Sequence, residues 1–113
     1  MGASILAGRD RMDLDNGMSL RLLSALEVLQ ARREAEELAQ SERERALCSN
    51  ACLLSRALET QEGEPVFSSG REVLSGLRVE EIAALAGTWS RFNREENPGL
   101  TMEAEQAEDV KKN

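Results

Sequence analysis

The sequence predicts an all-α fold, a small helical bundle of three to four helices, on three observations. Apolar side chains between residues 79 and 92 recur at the three- and four-residue spacing of one helix face. Runs in which Val, Ile or Thr alternate with polar residues are absent. Aromatic residues are only 3% of the chain, so leucine and alanine must form most of the core, as in helical bundles.

The 113 residues are expected to form one domain with an extension at each end. Residues 1–17 have little periodicity and are predicted to form a flexible N-terminal arm. Residues 18–99 are predicted to form the helical domain. Residues 100–113 are acidic, contain few large apolar side chains and are predicted to form a C-terminal tail.

The first helix is expected to start at about Leu20, with Ser19 as its N-cap. No glycine or proline interrupts residues 18–62, so one continuous helix as far as Thr60 is possible. Such a helix would be about 60 Å long, and a small monomer could not bury both of its ends.

Two helices are therefore favoured for this region, with a break near Gln40. Ser41 and Glu44 have the spacing of a capping box, which marks the start of a second helix. A continuous helix remains an alternative if the protein forms oligomers.

The clearest interruption of the helical pattern is the segment 61–69, which contains Gly63 and Pro65. A second capping-box pattern follows it and predicts a short helix from Gly70 to about Leu77. A long amphipathic helix comes next and ends before Pro98. The residues predicted to form its buried stripe are Val79, Ile82, Leu85, Trp89 and Phe92.

The net charge of −7 restricts the classes of partner. Nucleic-acid-binding proteins need basic side chains to neutralise phosphates, and an acidic protein is repelled by anionic membranes. No stretch approaches the roughly 18 apolar residues of a membrane span, and the N-terminus has no signal-peptide pattern. We therefore expect a cytoplasmic protein that binds neither nucleic acid nor membrane, with an acidic surface that serves solubility.

The composition also argues against catalysis. The chain has neither histidine nor tyrosine, so the commonest general bases and the Ser–His and Cys–His nucleophile pairs cannot form. Cys48 and Cys52 are four residues apart on a predicted helix, and two thiolates without histidine are a poor zinc site. They are predicted to be buried as small apolar residues. We expect no enzymatic activity, no cofactor and no metal.

Several stretches resemble the small tail assembly chaperones of long-tailed bacteriophages and prophages, in particular those of Gram-positive prophages. The resemblance spans about residues 18–99. It rests on Gly-Arg-Glu-Val-Leu-Ser-Gly-Leu at 70–77, Glu-Glu-Ile at 80–82, Trp-Ser-Arg-Phe-Asn at 89–93, Asn-Pro at 97–98, and the upstream runs 26–35 and 50–54. Arg78 is a departure, because the family usually has a threonine or serine helix cap at this position.

The resemblance implies a mostly helical, non-enzymatic protein that acts in the cytoplasm of a bacterial host cell. Such proteins shield the helix-rich tape measure protein until tail tube subunits replace them. Some are made in two forms by a ribosomal frameshift near the C-terminus, and this chain would be the shorter form.

A leucine-rich helical protein can cover the apolar stripes of a tape measure protein by helix-in-groove packing. The candidate partner-binding residues are Leu22, Leu23, Leu26 and Leu29, because the polar stretch after them is expected to separate their helix from the core around Trp89. Alternatively, these leucines pack within the chain or across a homo-oligomer.

Two other functions are considered beside the chaperone. One is a small acidic phage-encoded inhibitor of a bacterial defence nuclease, which would compete with nucleic acid through its carboxylates. The other is a helical oligomer with a purely structural role. Salt separates the first two, because binding by charge mimicry weakens steeply as salt rises and apolar docking hardly changes.

Overall fold

The structure, a computed structural model, describes residues 10–96. The first nine residues of the predicted arm and the whole predicted tail lie outside this range. The described elements are, in chain order, β1 (Arg11–Asp13), β2 (Met18–Arg21), α1 (Ala25–Leu38), α2 (Glu42–Ala57), β3 (Leu58–Thr60), α3 (Gly70–Gly76) and α4 (Val79–Glu96). The domain is mostly helical, as predicted, but residues 10–96 also contain a three-stranded antiparallel sheet, so the prediction of a purely all-α fold is wrong.

The sheet has the order β1-β2-β3, with β2 in the centre. Strands β1 and β2 form a hairpin in which Met12 pairs with Leu20, and Gly17 supplies the left-handed backbone of its turn with φ of +83°. Leu20 in turn pairs with Leu58 of β3. The boundary predicted after residue 17 therefore falls inside a hairpin, and Arg11–Asp13 belong to the folded domain.

Helix α1 starts five residues later than predicted, because Met18–Arg21 are in the central strand. Ser19 is not an N-cap: it is buried in β2, and within residues 10–96 its hydroxyl has no hydrogen-bond partner. The N-cap is Ser24, whose hydroxyl accepts a hydrogen bond from the Glu27 N–H at 3.1 Å. The Glu27 carboxylate accepts one from the Ser24 N–H at 2.9 Å, which completes a capping box.

The predicted break near Gln40 is confirmed, since α1 ends at Leu38 and α2 begins at Glu42. Ser41 is the N-cap of α2, but its side chain makes no capping hydrogen bond. Instead, the Glu44 carboxylate accepts a hydrogen bond from the Gln40 N–H at 2.8 Å. The second helix ends at Ala57, three residues before the predicted end, and the chain continues directly into β3.

Helix α2 supplies much of the core and packs against α1, α3 and α4. The main core combines buried side chains from the sheet and from α2, α3 and α4. Its members are Leu20, Ala51, Leu54, Ala57, Leu58, Val73, Ile82 and Trp89. A smaller cluster between α1 and α2 contains Ala31, Ala35, Cys48 and Cys52. Both cysteines are buried and free, as the sequence predicts.

Helices α3 and α4 follow the predicted boundaries closely. Ile82, Trp89 and Phe92 are buried as predicted, and Leu85 is half-buried against the main core. Val79 is an error in the predicted core, because its side chain is 60% exposed. It is the first residue of α4, and the buried contacts of this helix begin one turn later at Ile82.

Trp89 joins the helices to the sheet. Its side chain is 7% exposed within the main core, and the indole N–H donates a hydrogen bond to the Arg21 carbonyl at the end of β2 at 2.8 Å. A buried indole thus has its polar group satisfied by the backbone of a strand. The prediction that the polar stretch after Leu29 separates α1 from this core is wrong, because Val28 of α1 packs against the core.

Replacing Trp89 with alanine is expected to lower the free energy of unfolding by about 3–5 kcal/mol, because it leaves a cavity and an unpaired carbonyl. Trp89→Phe keeps most of the apolar contact and is expected to cost less. Urea unfolding followed by circular dichroism measures both. Arg91→Ala, on the exposed side of the same helix, is the control. A loss below about 1 kcal/mol for Trp89→Ala would contradict this description of the core.

Candidate partner-binding surface

The structure separates the four predicted partner-binding leucines into two pairs. Leu26 and Leu29 lie on α1 with 59% and 46% of their surface exposed. Leu22 and Leu23 are not on a helix. They lie in the connection between β2 and α1 and are half-buried, and Leu23 packs against the main core. The structure therefore leaves only Leu26 and Leu29 as exposed candidates.

Ion pairs fix the position of the α1 N-terminus on the sheet. Arg21 of β2 donates to the Glu27 carboxylate at 2.6 Å, and its Nε lies 3.0 Å from the Glu59 carboxylate of β3. Glu59 also pairs with Arg11 of β1. This chain of charges connects all three strands to the capping box of α1, so Leu26 and Leu29 are presented from an anchored helix end.

A groove lies between α1, α2 and α4, and Val28, the residue before Leu29 in α1, is part of its lining. It has a volume of about 290 Å³. It is lined by Val28, Ala31, Arg32, Ser49, Leu53, Trp89, Ser90 and Asn93. Its lining combines apolar side chains, among them Trp89, with the polar side chains of Ser90 and Asn93. This mixture suits an amphipathic ligand, for which a few polar groups set the orientation.

A second depression adjoins the groove along the α1–α2 seam and shares Arg32 and Ser49 with it. It is further lined by Ala35, Glu36 and Arg45. The two depressions therefore meet at Arg32 and Ser49, one from α1 and one from α2.

The first two turns of α1 extend the apolar surface outwards from the groove. At 3.6 residues per turn, Ala25, Leu29 and Leu26 follow Val28 around the helix over an arc of about 160°. Val28 lines the groove, and the other three side chains are exposed. We call Ala25, Leu26, Val28 and Leu29 the α1 apolar band. With the groove, the band forms a surface that can bind an apolar helix face.

On the side of α1 away from the band, Glu34 connects α1 to α2 and α3 by hydrogen bonds. Its carboxylate accepts hydrogen bonds from Arg56 Nη1 of α2 at 2.8 Å and from the Gly70 N–H at the start of α3 at 2.9 Å. Partial burial raises the pKa of Glu34, but these donors outweigh it and leave the pKa below its ordinary value. A Cβ at Gly70 would lie 2.4 Å from Cys52 Sγ, so only glycine allows α3 to approach α2 this closely.

Three features of residues 10–96 bear on the chemistry of this surface: the metal-ligating side chains, the apolarity of the helices and the buried carboxylates. In the described range, no group of three or more Cys, Asp or Glu side chains is placed to hold a metal ion. None of the helices within residues 10–96 is long and apolar enough to cross a membrane. The buried carboxylate of Glu59 and the half-buried carboxylates of Glu27 and Glu34 are engaged in ion pairs.

Comparisons of the chain with protein-family models, with curated proteins and with solved structures found no match.

Glu27 is expected to make stability depend on pH. The hydrogen bond from Arg21 lowers its pKa from 4.5 to about 2; partial burial opposes the shift, and the Ser24 N–H adds to it. Because the pKa is lower in the folded state, the ionised carboxylate stabilises the protein fully above pH 4.5. This contribution is lost as the pH falls towards 2. Glu27→Gln is expected to cost roughly 1–2 kcal/mol at pH 7, allowing for solvent screening.

The measurement is urea unfolding of both proteins between pH 7 and pH 2. The difference between wild type and Glu27→Gln should shrink below pH 4.5. Glu37→Gln, at an exposed position of the same helix, should show no such trend. A difference that stays constant over the whole pH range would contradict the ionic role of Glu27.

The two cysteines are expected to be unreactive in the folded protein. Burial raises the pKa of Cys52 to about 12, with a further contribution from the Glu34 carboxylate, and burial also raises the pKa of Cys48. At pH 8, iodoacetamide should therefore modify them roughly a hundredfold more slowly than an exposed thiol. An Asn16→Cys variant supplies that thiol in the hairpin turn. Equal rates for all three cysteines, measured by mass spectrometry, would contradict the burial.

Proposed function

We propose that this protein is a non-enzymatic phage tail assembly chaperone that acts in the bacterial cytoplasm and binds the tape measure protein through apolar helix–helix contacts. The observation that carries the proposal is the exposed pair Leu26 and Leu29 on α1, the helix whose Val28 lines a groove together with Trp89. Large apolar side chains exposed next to a concave surface are typical of a site that binds another protein.

The shape of the surface supports a helical ligand. The groove is bounded by three helices, and the α1 apolar band continues it on one side. A helix that presents apolar residues at every third or fourth position could place some side chains against Val28, Leu53 and Trp89. Others would then cover Leu29 and Leu26. The tape measure protein, as a long helix-rich protein, supplies such faces repeatedly.

The charges around the groove support an orientation for this ligand. Arg32 lies where the two depressions meet, and Arg45 lines the second one. Acidic residues beside the apolar stripe of the tape measure helix could pair with them. Pairs at the rim of an interface contribute little affinity and mainly select the register.

The resemblance to tail assembly chaperones supports the same function through different residues. Three of the stretches that carry it lie in the last two described helices: residues 70–77 cover α3 and the residue after it, and residues 80–82 and 89–93 lie in α4. Among these residues, Trp89 is both a core residue and part of the groove lining. The Asn-Pro pair at 97–98 lies outside the described residues.

The test is capture of the tape measure protein encoded by the same phage or prophage on the tagged full chain. The double variant Leu26→Ser/Leu29→Ser should weaken binding at least about tenfold, because two large apolar contacts are lost from the interface. Val79→Ser is the matched control, since Val79 is equally exposed but lies at the start of α4. Failure to recover the tape measure protein at any salt concentration would exclude the proposal.

The same capture experiment at several salt concentrations shows whether the contact is mainly apolar or mainly electrostatic. Apolar docking should change little between about 0.05 and about 0.5 M salt, whereas charge mimicry should weaken steeply. Steep salt dependence together with normal binding of Leu26→Ser/Leu29→Ser would contradict apolar docking through the α1 apolar band.

A further inference from the structure

The two edges of the small sheet differ in how their backbone groups are satisfied. On the β3 side, the Thr60 N–H donates to the Glu64 carbonyl at 2.8 Å, and the Leu58 carbonyl accepts from the Val66 N–H at 3.2 Å. A bridge between Glu59 and Pro65 closes this edge further. The segment after β3 therefore covers the strand that it follows.

No segment within residues 10–96 covers the β1 edge in this way. Leu14 donates to the Met18 carbonyl and Leu22 donates to the Asp10 carbonyl, so the even-numbered residues of β1 bond to β2. In an antiparallel ladder the alternate residues, Arg11 and Asp13, then direct their N–H and C=O groups away from β2. Within residues 10–96 these four outward groups have no hydrogen-bond partner.

We infer that β1 pairs antiparallel with β1 of a second copy of this chain, with the two Met12 residues opposite each other. In this register Arg11 of one copy faces Asp13 of the other, and Asp13 faces Arg11. These are the residues whose backbone groups point outwards, so four new backbone hydrogen bonds can form. The edge is thus complementary to itself in hydrogen bonding and in charge.

The side chains of the strand fit this pairing. Arg11 and Asp13 lie on one face of the sheet because they are two residues apart, so the opposite-charge pairs form on the same side. Arg11 also contacts Glu59 in its own chain, and its guanidinium has five N–H donors to share. Met12 lies on the other face with Leu20, so two methionines would meet next to the main core.

The predicted dimer is weak, because β1 has only three residues and short edge strands limit association. It should therefore depend on concentration. Sedimentation equilibrium of the full chain between about 10 µM and about 1 mM covers the range of weak interfaces. A monomer at every concentration would overturn the inference.

A charge variant tests the register. In a symmetric dimer Asp13→Lys places a lysine opposite Arg11 twice, once on each side of the two-fold axis. The two like-charged pairs should raise the dissociation constant of the dimer roughly tenfold or more. Asp15→Lys makes the same change of charge in the hairpin turn, away from the edge, and should have little effect. Equal effects of the two variants, or no effect of Asp13→Lys, would overturn the pairing.

A cross-linking variant gives a second test that does not depend on affinity. Residues opposite each other in a non-hydrogen-bonded pair have Cα atoms about 4.5 Å apart, which suits a disulfide. Met12→Cys should therefore form a covalent dimer under mild oxidation much faster than Asn16→Cys in the turn. The native cysteines are buried and free. Equal rates would show random collision and overturn the pairing.

These outcomes are independent of the proposed function, because β1 and the α1 apolar band are separate surfaces. If Leu26→Ser/Leu29→Ser abolishes dimerisation and Asp13→Lys does not, the copies associate through the band, and the β1 pairing is wrong.

Discussion

The hydrogen bond between the Trp89 indole and the Arg21 carbonyl is the contact on which the arrangement of this domain depends. It joins α4 to the central strand β2, and the two bonded residues are 68 positions apart in the sequence. The Arg21 side chain holds the cap of α1 and the Glu59 carboxylate of β3. One strand residue therefore positions two helices and the sheet, through its backbone on one side and its side chain on the other.

The helical part of the fold could be predicted because its signals are local. The apolar stripe predicts α4, the second capping-box pattern predicts the start of α3, and the spacing of Ser41 and Glu44 predicts the break near Gln40. Each of these signals lies within or directly beside the element that it predicts. The sheet could not be predicted in the same way. Strand β2 is four residues long, and its pairing with β3 brings Ser19 opposite Glu59, forty residues later. The leucines from 20 to 29 fit a helical spacing equally well, although the capping-box pattern of Ser24 and Glu27 was visible in the sequence.

The candidate site was predicted in part for the same reason. Leu26 and Leu29 are exposed on α1, but Leu22 and Leu23 were misplaced together with the start of the helix. The groove required knowledge of how α1, α2 and α4 pack, which no local pattern contains. Trp89 was predicted as a core residue. That one side of it also lines the groove follows only from the three-dimensional packing of the helices.

The most direct test of a helix bound in this groove uses the fluorescence of Trp89, the only tryptophan in the chain. A tryptophan-free helical segment of the tape measure protein is titrated into the full chain, and its binding is followed in parallel by sedimentation. The emission of Trp89 is expected to change and to saturate together with binding, because the ligand covers the groove wall. Binding seen by sedimentation with unchanged Trp89 emission would contradict the account.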